Sequence, residues 1–170
     1  MNSSSAPAPL KQGLVIQPDE GKSFWQPTPA NGYITIKLSP ENWDGPFSMG
    51  MQSVAPGSYI RQHSHDKNHE VVFVWQGRGT VIVEGQEHPM VPGTFIALPT
   101  HVEHLFRNDS DTDDMKLVWL MAPHGLEDFF SAVGRPRIPG EPAPPNFARP
   151  DNVLEIEART VFKPAEPAQK

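Results

Sequence analysis

The sequence predicts an all-β protein with a short helical extension toward its C-terminal side. Three observations carry this. Proline and glycine, 20 and 13 of the 170 residues, cut the chain into short pieces, the rhythm of an all-β domain. The apolar runs between them have strand length, and turn signals recur at the ~8–12-residue spacing of a sandwich or barrel. One later segment places its apolar residues at helical spacing instead.

Residues 1–29 are rich in Pro, Ser and Ala and read as an arm. Strands are then predicted at Tyr33–Leu38, Phe47–Val54, Ser58–His65 and Val71–Trp75. Others follow at Thr80–Val83, Thr94–Leu98, Glu103–Arg107 and Lys116–Met121. Glu84-Gly85-Gln86-Glu87 is a hairpin turn. In Leu126–Val133, Leu126, Phe129, Phe130 and Val133 share one helical face, and Gly134 supplies the stop. This amphipathic helix is expected to lie on the barrel. Residues 135–150 are proline-dense and expected to be irregular; Asp151–Ala158 reads as a short capped helix.

Composition narrows the function classes. The formal net charge is −6 with scattered Lys and Arg, which argues against nucleic acid or an anionic membrane as partner. No run approaches the ~20 apolar residues of a membrane span. The N-terminus shows no charged start followed by an apolar stretch, so no signal peptide is expected. Cysteine is absent, which fits a reducing cytoplasm, the location expected here. Any tight metal site must then use His, Asp and Glu.

Four such residues are spaced as a site: His63, His65, Glu70 and His104. Side chains alternate along a strand, so His63 and His65 face the same way, and a hairpin brings Glu70 back beside them. His104 comes from a neighbouring strand. Gly57 and Gly77 bracket the first unit where tight turns need a positive φ or no side chain.

These residues resemble the two cupin motifs. Gly57, His63, His65, Glu70 and Gly77 match the first; Gly93, Pro99, His104 and Asn108 match the second. His101 stands where the family usually has glycine, so the turn must accept histidine; Arg61 stands where proline is common. The resemblance implies a cupin double-stranded β-helix, a jelly-roll barrel, over 30–124, with 125–170 as helix and Pro-rich extension. It implies one divalent transition metal (Fe, Mn, Ni, Co or Zn) held by the four residues, with Glu70 doubling as a base. The stretch Trp119–Phe130 is similar to that of quercetinase-like single-domain cupins.

Parity outlines a pocket. Val72 and Val74 point inward with Glu70, and Phe106 with His104. Tyr59 and Arg61 follow His63 if no bulge intervenes. Met49 and Met51 share a face, as do Leu117, Trp119 and Met121. The expected pocket for a small-molecule substrate therefore includes Met49, Met51, Arg61, Val72, Phe106 and Trp119, mostly apolar. Arg61 could pair with a substrate carboxylate or phenolate. Tyr59 or His101 could act as acid or base. His69, His88 and His124 read as surface residues, and Asp109–Asp114 as a solvated loop.

The leading functional expectation is a dioxygenase acting on a small apolar enolic or phenolic compound. The alternatives are a non-redox isomerase or lyase, and a non-enzymatic small-molecule binder. The arm and tail lead to the expectation of a homodimer.

Overall fold

The computed structural model describes residues 13–164. Residues 1–12 of the expected arm and 165–170 of the tail lie outside them. In chain order the strands are β1 (Lys22–Trp25), β2 (Tyr33–Leu38), β3 (Ser48–Val54), β4 (Tyr59–Ser64), β5 (His69–Gln76) and β6 (Gly79–Val83). They continue with β7 (Gln86–Met90), β8 (Phe95–Leu98), β9 (His104–Asn108) and β10 (Met115–Ala122). Helix α1 (Leu126–Val133) precedes β11 (Arg135–Pro136), and α2 (Val153–Arg159) precedes β12 (Lys163–Pro164).

The strands form two antiparallel sheets that face each other as a jelly-roll barrel. The larger has the order β11-β1-β2-β3-β10-β5-β8 and the smaller β12-β4-β9-β6-β7. β1 falls inside the stretch expected to be an arm, and β11 and β12 inside the Pro-rich extension. These strands are too short to show a period, and prolines flank or interrupt them, so only long-range pairing reveals them. The hairpin at Glu84-Gly85 turns with φ 49° and 77°, as a two-residue connection with two positive φ requires. No helix of the described residues is long and apolar enough to cross a membrane.

Two cores result. One lies inside the barrel around Val54, Val72, Val74, Leu98, Phe106 and Leu117. The other forms where the apolar face of α1 (Leu126, Phe129, Phe130, Val133) meets Ile34, Trp119, Met121, Ile156 and Phe162. Gly50 is what lets the indole of Trp119 lie against β3: a Cβ at residue 50 would stand 2.5 Å from Cζ2 of Trp119 and 2.6 Å from the Thr35 carbonyl oxygen.

The inner and outer faces of the larger sheet are both apolar. Met51, Val118, Phe73 and Phe95 form one cross-strand row, and Met49, Leu120, Val71 and Ala97 the next. All of these are half-buried or exposed, whereas Gly50, Gln52, Trp119, Val72 and Ile96, of opposite parity, are buried. The expectation that Met49 and Met51 wall the pocket is therefore corrected. Alternation assigns residues to two faces but does not say which face is inside, and here small and polar residues (Ser48, Gly50, Gln52) take the inner one.

Asn108, which closes the second motif, is 1% exposed and ties loops together. Its amide nitrogen donates to the carbonyls of Val54 (2.9 Å), Ala55 (3.1 Å) and Asp113 (2.8 Å), and its oxygen accepts the Ser110 N–H at 3.0 Å. Asn108→Ala is expected to cost about 2 kcal/mol or more, since each buried carbonyl left unpaired costs ~1–3 kcal/mol. Urea unfolding of the two proteins measures it.

Candidate metal centre and its cavity

The larger sheet supplies Glu70 from β5, and the smaller supplies His63 from β4 and His104 from β9. His65 stands in the loop just after β4. His63 and His104 are direct cross-strand partners. All four residues are buried, and one ligand atom from each lies within 4.8 Å of the others.

Each imidazole is oriented by a backbone carbonyl. Nδ1 of His63 donates to the Arg61 oxygen at 2.7 Å, that of His104 to Val102 at 2.9 Å, and that of His65 to Val161 at 2.7 Å. A carbonyl only accepts, so Nδ1 carries the hydrogen in each ring and Nε2 of the neutral ring offers a lone pair. The three Nε2 atoms and the Glu70 carboxylate then converge. Nε2 of His104 is 3.1 Å from that of His63 and 3.2 Å from Oε2 of Glu70; Nε2 of His65 is 3.3 Å from the same oxygen. Four acceptors so placed repel one another unless protons or a cation stand between them. For bonds of ~2.1 Å, neighbouring ligands lie ~3.0 Å apart at right angles and ~3.4 Å apart in a tetrahedron. The observed separations fit a single ion, and the cluster can hold one.

The electrostatics agree. Burial pushes His63 well below its ordinary value, helped by His104 and His65 and opposed by Glu70. Burial also disfavours charge on His65, but the Glu70 hydrogen bond and charge outweigh it and raise its pKa. For Glu70 burial works upward, yet hydrogen bonds with His104 and His65 hold the carboxyl well below the usual carboxylate range. The group stays ionised inside the protein.

A cavity of ≈ 60 Å³ adjoins the cluster, with His63 and Glu70 at its inner end. Its walls are Phe24, Ile34, Ile60, Phe106, Leu126, Phe129, Phe130, Val133 and Phe162, with polar contributions from Gln26, Gln52, Tyr59, Arg61 and Arg149. Of the residues expected here, Phe106, Tyr59 and Arg61 line it. Val72 points inward but is packed in the barrel core, and Trp119 lies beneath the wall against Phe130. A register shift between Ile60 and His63 breaks the parity assumed for β4. Ile60, paired with Phe106, takes the inward place; Tyr59 is 42% exposed, at the rim. Arg61 is paired with the buried Glu157 and lies over the Phe162 ring at 5.1 Å.

His101 does not reach the cavity. Its side chain is 71% exposed and faces Asp66 at 3.8 Å. The turn accepts histidine at φ 65°, and its backbone N–H donates to the His65 carbonyl at 2.8 Å. Residue 101 thus braces the site through its backbone. His69, His88 and His124 are exposed.

Sequence reasoning missed several site residues. Asn68, 3% exposed, donates to the Pro123 carbonyl at 2.6 Å and anchors the loop between His65 and Glu70. Gln26 donates through its amide nitrogen to the carbonyls of Asn31 (2.8 Å) and Ser53 (2.9 Å). Its oxygen therefore accepts from the Gln52 amide nitrogen, at 2.6 Å. That fixes the Gln52 amide as well, leaving its oxygen as an acceptor in an otherwise apolar wall. The one available signal was Gln52 sharing parity with the small residues Ser48 and Gly50.

Residues 50–121 match the Cupin domain model Cupin_2. The chain is 30% identical over 133 residues to quercetin 2,3-dioxygenase of Bacillus subtilis (strain 168), covering 76% of this chain and 39% of that protein. It thus spans well under two thirds of that relative's length. The polyketide cyclase RemF from Streptomyces resistomycificus has a similar structure, with a TM-score of 0.57 at 16% identity, over 65% of this chain and 80% of that one. A sugar phosphate isomerase of the cupin superfamily from Silicibacter pomeroyi gives 0.56 at 21% identity, over 64% and 75%. With the barrel and both motifs in place around four buried donors, residues 50–121 of the chain are a Cupin domain.

Proposed function

We propose that the protein is a metal-dependent dioxygenase acting on a small, apolar, enolic or phenolic substrate. The observation that carries this reading is the convergent His63, His65, Glu70 and His104 set opening onto an aromatic-walled cavity. The likeness to a quercetin dioxygenase supports the choice of chemistry. A divalent transition metal held by the four residues would supply Lewis acidity and, where redox-active, one-electron chemistry with dioxygen. Three neutral imidazoles and one carboxylate suit Fe, Mn, Ni, Co or Zn alike.

The chain's own groups have definable parts. The phenylalanine wall excludes water and orients a planar substrate. The Gln52 oxygen accepts a hydrogen bond from a substrate hydroxyl. Glu70, ionised and lining the cavity, takes a proton from an acidic hydroxyl nearby once it gives up the contacts with His65 and His104 that hold its basicity down. Arg61 is available to an anionic substrate only in exchange for Glu157. A second reading, a non-redox isomerase or lyase, draws on Tyr59 at the cavity rim, a hydroxyl placed to serve as acid or base.

The apolar outer face of the larger sheet supports a homodimer. Phe95, 72% exposed on edge strand β8, and Trp75, 40% exposed, extend the two apolar rows there. A second copy would cover this face across a two-fold axis.

Three outcomes are expected. The full chain binds about one divalent metal per protomer, and His104→Ala weakens that binding more than the ~10–100-fold typical of losing an outer-sphere partner; calorimetry with Zn(II) and Co(II) measures it. Protein reconstituted anaerobically with Fe(II), Mn(II) or Ni(II) consumes oxygen on a flavonol, diketone or catechol, and Glu70→Gln lowers the rate by about 10²–10⁴. No uptake with any metal across that panel, or turnover that needs no oxygen, moves the assignment to the second reading. Light scattering gives a dimer, and Phe95→Lys shifts it toward monomer.

A further inference from the structure

The cavity holds less than a substrate needs. At ≈ 60 Å³ it has room for about four to six waters at ~10–15 Å³ each, whereas apolar cavities that take up benzene are about 150 Å³. The space next to the metal cluster is filled by the protein itself. Phe162 is 5% exposed and lies flat between two rings. Its centroid is 4.1 Å from that of His63, with planes 10° apart, and 4.6 Å from that of Phe129, with planes 5° apart. A planar group is thus stacked face to face on a ring of the four-donor cluster, inside a wall of phenylalanines.

The segment that carries Phe162 is held by a short pairing and a few side-chain contacts. Among the described residues β12 pairs with β4 at two positions, Lys163 with Ser64 and Pro164 with His63. Nδ1 of His65 donates to the Val161 carbonyl, and Nζ of Lys163 faces Asp66 at 3.7 Å. The aromatic walls on either side belong to longer elements: Phe129 shares the second core with Phe162 but sits on the eight-residue α1, and His63 sits on the six-residue β4, paired with β9.

We propose that the slot between His63 and Phe129 is a subsite for a planar aromatic ring, which Phe162 fills in the closed state and leaves when a ligand enters. The proposal rests on the aromatic-substrate reading above and specifies where that ring sits. A ring in this slot keeps the stacking that Phe162 supplies, and any hydroxyl on its inner edge points toward the donor cluster and Glu70. Phe162 is then a competitor carried on the chain itself: the fraction of time it is docked lowers apparent ligand affinity in proportion. Flatness sets specificity, because the two flanking planes leave one ring thickness between them.

The test uses 2-naphthol with the full chain loaded with Zn(II), which carries no redox chemistry, so binding is read separately from oxygenation. Hydrogen exchange followed by mass spectrometry reports on residues 160–164, and calorimetry gives the affinity. Saturating 2-naphthol is expected to speed exchange in the 160–164 segment while leaving β9 protected. Phe162→Ala is expected to bind 2-naphthol about tenfold tighter, and Phe162→Trp more weakly than the unmodified chain. Decahydro-2-naphthol, which keeps the carbon skeleton and the hydroxyl but is not flat, is expected to do neither. Absence of binding, affinity unchanged in Phe162→Ala, or a segment equally or better protected with ligand present would overturn the proposal. The exchange experiment on the unmodified chain stands even if a variant folds poorly. Should oxygen uptake fail while naphthol still displaces the segment, the oxygenase reading falls and the subsite remains.

Discussion

Three carbonyl oxygens decide what this molecule can be. By accepting the Nδ1 hydrogens of His63, His65 and His104, they aim three lone pairs at one point beside an ionised carboxylate. Burying four such acceptors together costs several kcal/mol unless something positive joins them. The barrel meets that demand by geometry: two strands of one sheet and one strand of the other bring the donors within a single ion's reach. Much of the surrounding detail serves this convergence. Asn68 anchors the loop between His65 and Glu70, and the left-handed turn at His101 braces the carbonyl of His65.

The rest of the barrel interior divides the labour. The end remote from the cluster is packed solid by valines, Met90, Met115 and Leu117. The end nearer α1 stays partly hollow, walled by Phe129, Phe130, Leu126 and Val133 of the helix together with Phe24 and Phe162. Gly50 permits a close approach there, letting Trp119 pack against Phe130 with the ring planes tilted by 49° and support the cavity floor. The wall carries little polarity, and what it carries is directional: Gln26 spends its donors on two carbonyls, and that choice propagates to Gln52.

Much of the arrangement was legible in the sequence, for a physical reason. His63, His65 and Glu70 sit close together in the chain and His104 one hairpin further on, so strand alternation and turn length alone bring them together. The same holds for α1, whose apolar period matches its observed ends. What escaped depends on choices that local pattern leaves open. Met49 and Met51 alternate correctly yet face outward, because both faces of that sheet are apolar. Tyr59 and Arg61 lost their parity to a bulge that no residue between them announces. β1, β12, Gln26 and Phe162 act through partners far away in sequence; His65 and Val161 are 96 residues apart.

That last separation bears on how the centre comes into being. His63 and His104 each borrow a carbonyl two residues upstream, so their rings take up the right tautomer as soon as their own strands form. His65 has no such local partner and waits for residue 161. On the ribosome, where chains fold from the N-terminal side first, the barrel would already hold three donors in place while the fourth imidazole still lacked its Nδ1 partner. The convergence of four donors is therefore completed in two steps: the barrel sets three of them, and the fourth takes its tautomer only once the segment around residue 161 has docked.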